Sequence, residues 1–197
     1  MSGRESTIGA VLLAAGHSER FGAENKLLAH IDGQPVLGHA ARTLCEATLD
    51  DRIAILGHDA AAVREAVPDD VAVRENDRYA EGQHSSVRAG VSAAREAGWD
   101  GALFALGDMP AVDPATVDTL CAAFADDRGP IIVPTHDGQR GNPVLFGASQ
   151  FEALASVTGD KGGRALIEAH SETVRIPVDD SGIHRDIDIP ADLAFEE

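Results

Sequence analysis

Two kinds of hydrophobic pattern alternate along the chain. Runs such as IGAVLL (8–13) and GALFAL (101–106) contain no polar side chain, which is typical of strands buried on both faces of a sheet. Between the runs, apolar residues recur every three or four positions, as in SSVRAGVSAAREA (85–97), which favours helices. Strands are predicted at 8–13, 52–56, 71–73, 101–106, 130–134, 143–146, 173–178 and 185–189. Helices are predicted from Pro35 onwards, at 59–66, 85–97, 114–125, 148–156 and 163–170, and from Pro190.

Strands that alternate with helices predict an α/β fold, with a mostly parallel sheet between two helix layers. We expect a single three-layer, Rossmann-like domain over residues 1–197, because no repeat or low-complexity linker divides the chain. Ligands of such folds bind at the carboxyl ends of the strands. The loop 14–25 and the dipeptide Gly107-Asp108 both follow predicted strands, so both are expected at that edge.

The charge balance excludes some partners. Thirty-three acidic residues against sixteen Lys and Arg give a net charge of −17, which repels nucleic acids and anionic membranes. The acidic residues are scattered, a pattern that resembles adaptation to high salt, where charges are screened. No apolar run approaches the roughly 20 residues of a membrane span, and MSGRESTIGAVLLAAG is a poor signal peptide. A cytoplasmic location is therefore expected.

Lysine is scarce. Fourteen of the sixteen basic residues are Arg, and the two lysines, Lys26 and Lys161, lie in polar loops that contain glycine. A compact ammonium on a flexible stem does not do the same work as a planar guanidinium. The two positions are therefore candidates for functional roles.

The loop after the first strand has the composition of an anion site. Ala14, Ala15 and Gly16 are small enough to let backbone amides approach an anion closely. Arg20 and Lys26 follow and supply positive charge. The loop fits neither the G-x-x-x-x-G-K-[ST] pattern nor G-x-G-x-x-G, so it indicates a phosphate-binding loop of another kind.

This loop, L-A-A-G-x-S-x-R-F-G-x-x-x-K, resembles the signature of nucleotidyltransferases that join a nucleoside triphosphate to a phosphorylated acceptor. From about residue 8 to the C-terminus the chain resembles the MobA-like family, most of all its molybdenum cofactor cytidylyltransferase branch. The further segments that carry the resemblance are AEGQHSSVRAG (80–90), LGDMP (106–110), GNPVLF (141–146), TGDKGGR (158–164) and DIDIP (186–190).

The resemblance implies the fold of the nucleotide-diphospho-sugar transferases and transfer of CMP from CTP to the phosphate of molybdopterin, with release of pyrophosphate. In this family L-A-A-G tends to accompany cytosine and L-A-G-G guanine. Two alternatives stay open: a guanylyl- or other nucleotidyltransferase with a different phosphate acceptor, and a non-catalytic nucleotide-binding partner of a molybdoenzyme. Arg20 and Lys26 are the expected catalytic residues. The expected nucleotide contacts are Leu13, Ala14, Ala15, Gly16, Arg20, Lys26, Gly82, Ser86 and Asp108.

Asp108 is the main candidate ligand for a divalent cation, Mg²⁺ or Mn²⁺, because a carboxylate at the end of a buried strand needs a partner. A second ligand is expected from Asp186 or Asp188, which face one side of an extended segment. We favour Asp186 slightly.

Three residues are implied for the acceptor, namely Asn142, Lys161 and Arg164. The two cations suit a phosphorylated molecule, and a molybdoenzyme is a further partner that the resemblance implies. Ser85 and Ser86 are open to a second interpretation, since either could instead cap the helix over 85–97.

Overall fold

The computed structural model describes residues 6–18, 20–22, 24–158 and 163–194. The strands are β1 (Ile8–Ala14), β2 (His30–Ile31), β3 (Gln34–Pro35), β4 (Asp51–Leu56), β5 (Ala72–Glu75), β6 (Gly101–Leu106), β7 (Ile131–His136), β8 (Gln139–Arg140), β9 (Val144–Gly147) and β10 (Thr173–Pro177). The α-helices are α1 (Val36–Glu46), α2 (Ala60–Glu65), α3 (Gln83–Ala97), α4 (Pro114–Ala125), α5 (Phe151–Ser156) and α6 (Arg164–Ala169).

The central sheet has the strand order β10-β7-β9-β6-β1-β4-β5, and β8 pairs with the end of β7. The β1–β4, β1–β6, β4–β5 and β7–β10 pairs are parallel, while β9 runs antiparallel to both of its neighbours. The prediction of a mostly parallel α/β sheet is therefore confirmed. The short strands β2 and β3 form a separate hairpin.

Helices cover both faces of the sheet, which gives the expected three layers. On one face, β1 packs through Ala10, Leu12 and Ala14 in the cluster that includes residues of α1, α2 and α4. On the other face, Val11 packs among residues of α3, α5 and α6. Side chains of a strand alternate between faces, so a strand buried on both sides has to be apolar throughout.

Two local predictions are wrong. Residues 185–189 form no strand; a 3₁₀ turn at Ser181–His184 precedes them and another at Pro190–Leu193 follows. The helix α3 begins at Gln83, with Gly82 as its N-cap, so neither Ser85 nor Ser86 is the cap. Asn76, in the loop after β5, donates hydrogen bonds to both serine hydroxyls, which therefore make a tertiary contact instead.

The parallel pairing of β1 and β6 places their carboxyl ends side by side. The Gly107 amide donates to the Leu13 carbonyl over 2.9 Å, which holds the dipeptide Gly107-Asp108 against the loop that follows β1. Within the described ranges, no helix combines the length and the apolar composition needed to cross a membrane.

Candidate active site

A cleft of about 350 Å³ opens at the carboxyl ends of β1 and β6. It contains most of the residues that the sequence singled out for nucleotide, catalysis and metal, although they come from distant parts of the chain. Those that line it are Leu13, Ala14, Ala15, Gly16, Arg20, Lys26, Gly82, Ser86, Asp108 and Asp188. The remaining lining comes from His17, Ser18, Leu27, Tyr79, Gln83 and Leu106.

Lys26 lies at the centre of the charged end of this cleft. Its ammonium donates to Asp108 Oδ2 over 2.6 Å and to Asp188 Oδ1 over 3.0 Å. The local fold holds the lysine in place, because it begins a 3₁₀ turn whose N-cap, Asn25, accepts from the Leu27 amide. The ammonium is thus fixed between two carboxylates rather than extended into solvent.

The charges of Lys26 and Asp108 depend on each other. Burial by itself lowers the pKa of Lys26, but Asp108 and Asp188 outweigh it and raise that pKa above its ordinary value. Burial raises the pKa of Asp108, Lys26 opposes this effect, and the charge of Asp186 adds to it. A carboxylate in this position therefore needs a neighbouring cation to stay ionised.

The segment around Asp188 is fixed by Ile187 and Asp192. The Ile187 amide donates to the Asp108 carbonyl over 2.8 Å, and its side chain, 1% exposed, packs against Phe21 and Val36. The Asp192 carboxylate accepts from the backbone amides of Asp188 and Ile189, each over 2.9 Å. These contacts direct Asp188 into the cleft.

Asp186 and Asp188 do not share that orientation. Asp188 lines the cleft and accepts from both Lys26 and Arg20. Asp186 is exposed and is not part of the lining. The expectation that both carboxylates face one side is therefore not met, and the placement favours Asp188, opposite to our slight preference for Asp186.

The other end of the cleft is formed by the start of α3. Gly82 has φ +110°, a conformation that side chains with a Cβ rarely adopt, so a glycine suits this position. Asn76 donates to Ser85 Oγ over 2.9 Å and to Ser86 Oγ over 3.0 Å. Ser85 donates to the Gly82 carbonyl, whereas the Ser86 hydroxyl has no recorded acceptor within the described residues. The cleft therefore contains a hydroxyl that can still donate.

Two aromatic rings in the lining were given no role by the sequence. The Tyr79 ring lies 5.0 Å from that of His17, and His17 stacks on His58 at 5.2 Å. Asn76 was also missed. It precedes α3 by several residues, and no local pattern links an asparagine in a loop to serines in a helix.

A second cavity, of about 340 Å³, adjoins the cleft and shares Leu13, Gln83 and Leu106 with it. Asn142 and Arg164, both implied for the acceptor, line this second cavity and not the cleft. Lys161, the third of that set, lies outside the described residues. Arg140 also lines the second cavity, and no motif of the sequence pointed to it.

The charged end of the cleft suits a divalent cation. Asp108 and Asp188 oxygens approach one cation, the Lys26 ammonium, so the two carboxylates converge. In the described part of the chain, no three or more His, Cys, Asp or Glu side chains are grouped so as to hold a metal. Mg²⁺ in nucleotide enzymes uses one or two carboxylates together with substrate phosphates, and the pair present here meets that need.

Among curated proteins, the chain resembles the purine catabolism protein PucB of Bacillus subtilis, with 28% identity over 190 residues, 91% of each chain. It also resembles the bifunctional protein GlmU of Agrobacterium fabrum, with 29% identity over 131 residues, 64% of this chain. This chain matches only 28% of that GlmU and 33% of the one from Sinorhizobium medicae.

Solved structures agree with the fold. Rv0371c from Mycobacterium tuberculosis H37Rv superposes with a TM-score of 0.82 at 31% identity, covering 96% of both chains. Its complex with manganese gives a TM-score of 0.79 at 30% identity, covering 95% of this chain and 96% of that one.

The family model of the MobA-like NTP transferase domain matches residues 10–174. This range contains most of β1 with the loop that follows it, Asp108, and the lining of the cleft and of the second cavity apart from Asp188. The chain therefore belongs to the MobA-like NTP transferase family.

Proposed function

We propose that the protein transfers CMP from CTP to the phosphate of a molybdopterin-type acceptor in the cytoplasm and supplies the product to a molybdoenzyme. The observation that carries the transferase part is the meeting of Lys26, Arg20, Asp108 and Asp188 beside the small-residue loop. The choice of cytosine and of a pterin acceptor rests on the sequence resemblance.

The reaction needs charge and position more than proton transfer. An oxygen of the acceptor phosphate bonds to the α-phosphorus, the bond to the bridging oxygen breaks, and pyrophosphate leaves with that electron pair. A phosphate monoester is mostly ionised at neutral pH, since its second pKa is about 6, so no general base is required. Positioning and electrostatic stabilisation then account for most of the acceleration.

Lys26 and Arg20 are the catalytic residues of this proposal. Lys26 is 14% exposed in its side chain, whereas Arg20 is 77% exposed. A partly buried ammonium interacts more strongly with phosphate oxygens than an exposed guanidinium does. We therefore assign the larger share of transition-state stabilisation to Lys26, while backbone amides of 14–16 contact the phosphates.

Asp108 and Asp188 would hold a divalent cation, which neutralises charge on the phosphates when it is bound. The manganese complex of Rv0371c supports a divalent ion in this family. Asp186 acts on this site only through its negative charge, which raises the pKa of Asp108. Mg²⁺ and Mn²⁺ both accept carboxylate oxygens.

Ser86 donates a hydrogen bond from its hydroxyl to an acceptor atom on the ring of the nucleotide base. The Asn76 amide donates to Ser86 Oγ and so leaves the hydroxyl hydrogen for the ligand.

Ala15 acts from the other side. It is 6% exposed, and a Cβ at Gly57 would lie only 2.8 Å from its Cβ. Its methyl therefore packs under the loop, beside Gly57, and it affects which base the cleft accepts only indirectly.

The test is pyrophosphate release from each of the four nucleoside triphosphates, with molybdopterin as acceptor and Mg²⁺ or Mn²⁺ present. We expect CTP to be used best. Preference for GTP would replace the cytidylyl assignment, and turnover only with another phosphate acceptor would replace the pterin. No pyrophosphate with any pair would indicate a non-catalytic nucleotide-binding protein.

A further inference from the structure

Arg140 is a half-buried cation that faces the second cavity from β8. Across the described residues, its guanidinium has no recorded hydrogen bond to a protein acceptor and no carboxylate within ion-pair distance. A guanidinium has five N–H donors. Their partial burial without an acceptor is costly unless a ligand supplies one.

The charges around Arg140 do not satisfy it. Arg164 lines the same cavity, and its Nε donates to Glu168 Oε1 over 2.8 Å. Burial lowers the pKa of Arg140, and the charges of Arg164 and Arg175 lower it further. The charge of Glu168 offsets part of this decrease. Among the residues that the structure describes, one carboxylate, which already pairs with Arg164, therefore lies among three guanidinium groups.

Most of the remaining lining of the second cavity is apolar. Its wall is formed by Val87, Phe104, Val144, Phe146, Leu154 and Ile167. Among the described residues that line it, Gln83 and Asn142 are the polar side chains besides the two arginines. A sugar or polyol would bury several hydroxyls against this wall without partners, at a cost for each. A flat ring would instead bury apolar area.

We propose that the second cavity binds an acceptor with a flat ring system, whose faces pack on the apolar wall, and with a second anionic group, which Arg140 and Arg164 hold. The anionic group differs from the reacting phosphate, because Arg140 does not line the cleft that contains Lys26. The cavity and the cleft meet at Leu13, Gln83 and Leu106, so one acceptor can reach from one to the other. This inference rests on the proposed function for the statement that the occupant is the acceptor.

The probe is 2-naphthoate, which combines a flat ring with one carboxylate, and its dissociation constant is measured by fluorescence titration on the full chain. Arg140→Gln should weaken binding about tenfold, the effect of losing about 1.4 kcal/mol from one charge-assisted hydrogen bond. Arg175→Gln is the matched control, because it removes an exposed arginine near Arg140 that does not line the cavity. It should change binding less than twofold.

Two further probes separate the ring from the charge. Glycerol 3-phosphate carries an anion on a polyol, and 2-naphthalenemethanol carries the ring without the anion, and both should bind more weakly than 2-naphthoate. Equal losses in Arg140→Gln and Arg175→Gln, or glycerol 3-phosphate binding as tightly as 2-naphthoate, would overturn the proposal.

Thermal melting distinguishes a binding role from a structural one. Arg140→Gln should not lower the melting temperature, because no described side chain hydrogen-bonds this guanidinium. Arg140 would instead be structural if Arg140→Gln clearly lowered the melting temperature and if Arg140→Lys restored binding only as far as it restored folding. If 2-naphthoate binding depends on Arg140 while nucleotide turnover fails with every triphosphate, the cavity assignment stands and the proposed function fails. Turnover without this dependence gives the reverse.

Discussion

The cleft and the second cavity lie side by side, but their charges are arranged differently. In the cleft, Lys26 and Arg20 are matched by Asp108 and Asp188. In the second cavity, the one described carboxylate near Arg140 and Arg164 is that of Glu168, and it pairs with Arg164. The cleft therefore satisfies its charges internally, whereas the second cavity leaves positive charge for a ligand.

This difference assigns different kinetic roles to the two regions. Ion pairs in the cleft hold the lysine and the carboxylates in place before substrate arrives, which favours transition-state stabilisation and hence kcat. An unsatisfied cation in the second cavity binds substrate and transition state alike, which appears in KM. Substitutions in the cleft should therefore mainly lower kcat, and those in the second cavity should mainly raise the KM of the acceptor.

The largest effect is expected for Lys26→Ala. Removal of one preorganised donor costs about 3 kcal/mol, or about 10² in rate, measured as kcat for pyrophosphate release. Lys26→Arg keeps the charge but changes its shape, and it should recover only part of the rate. A melting temperature near that of the unaltered protein is the control for folding, and near-normal kcat in such a folded variant would exclude Lys26 from the chemistry.

Asp108→Asn should come next. A neutral amide binds Mg²⁺ weakly, so the metal concentration needed for half-maximal nucleotide binding should rise about tenfold or more. Titration of Mg²⁺ and Mn²⁺ at fixed nucleotide measures it. Nucleotide binding that is unaltered by the substitution and also survives chelation would remove Asp108 as a metal ligand.

Asp188→Asn and Asp186→Asn form a matched pair, because they make the same change two residues apart. Asp188 contacts Lys26 and Arg20, while Asp186 is exposed. We expect Asp188→Asn to raise the metal concentration for half-maximal nucleotide binding severalfold. Asp186→Asn should change that concentration less than twofold. The reverse order would restore our first preference for Asp186, and no effect in either would place the second ligand elsewhere.

A smaller effect is expected at the base end of the cleft. Asn76→Asp replaces the donor with an acceptor, so Ser86 should turn its hydroxyl toward the carboxylate and away from the base. The KM for CTP should rise about fivefold, equivalent to about 1 kcal/mol for one hydrogen bond, while kcat changes little. Ser86→Ala should raise KM similarly and avoids the buried charge. A fall in kcat with KM unchanged would contradict this role.

The smallest effect is expected for Ala15→Gly. Its methyl packs against Gly57, so removing it loosens the loop rather than opening the base site directly. Competition between CTP and GTP should show the CTP preference relaxed by about twofold to fivefold, consistent with losing ~0.5–1 kcal/mol of loop contacts. A complete inversion to GTP would mean that Ala15 itself excludes guanine.

The sequence by itself determined the main strands of the central sheet and the position of the site loop. A strand with helices on both faces has to be apolar throughout, so 8–13 and 101–106 predicted β1 and β6 from composition alone. The small residues at 14–16 and the rare Lys26 indicate the position of the cleft in the sequence. These features depend on neighbours in the chain, and such patterns can be recognised locally.

Only the tertiary structure decided which distant residues meet. Lys26 is 82 residues from Asp108 and 162 from Asp188, and the choice of Asp188 over Asp186 depends on the burial of Ile187 and its bond to Asp108. Arg140 stands out only because β8 pairs with β7 and places it near Arg164, with no carboxylate of the described residues within ion-pair distance. An unmatched charge is a property of all the groups around it, and a linear pattern records only those that precede and follow it.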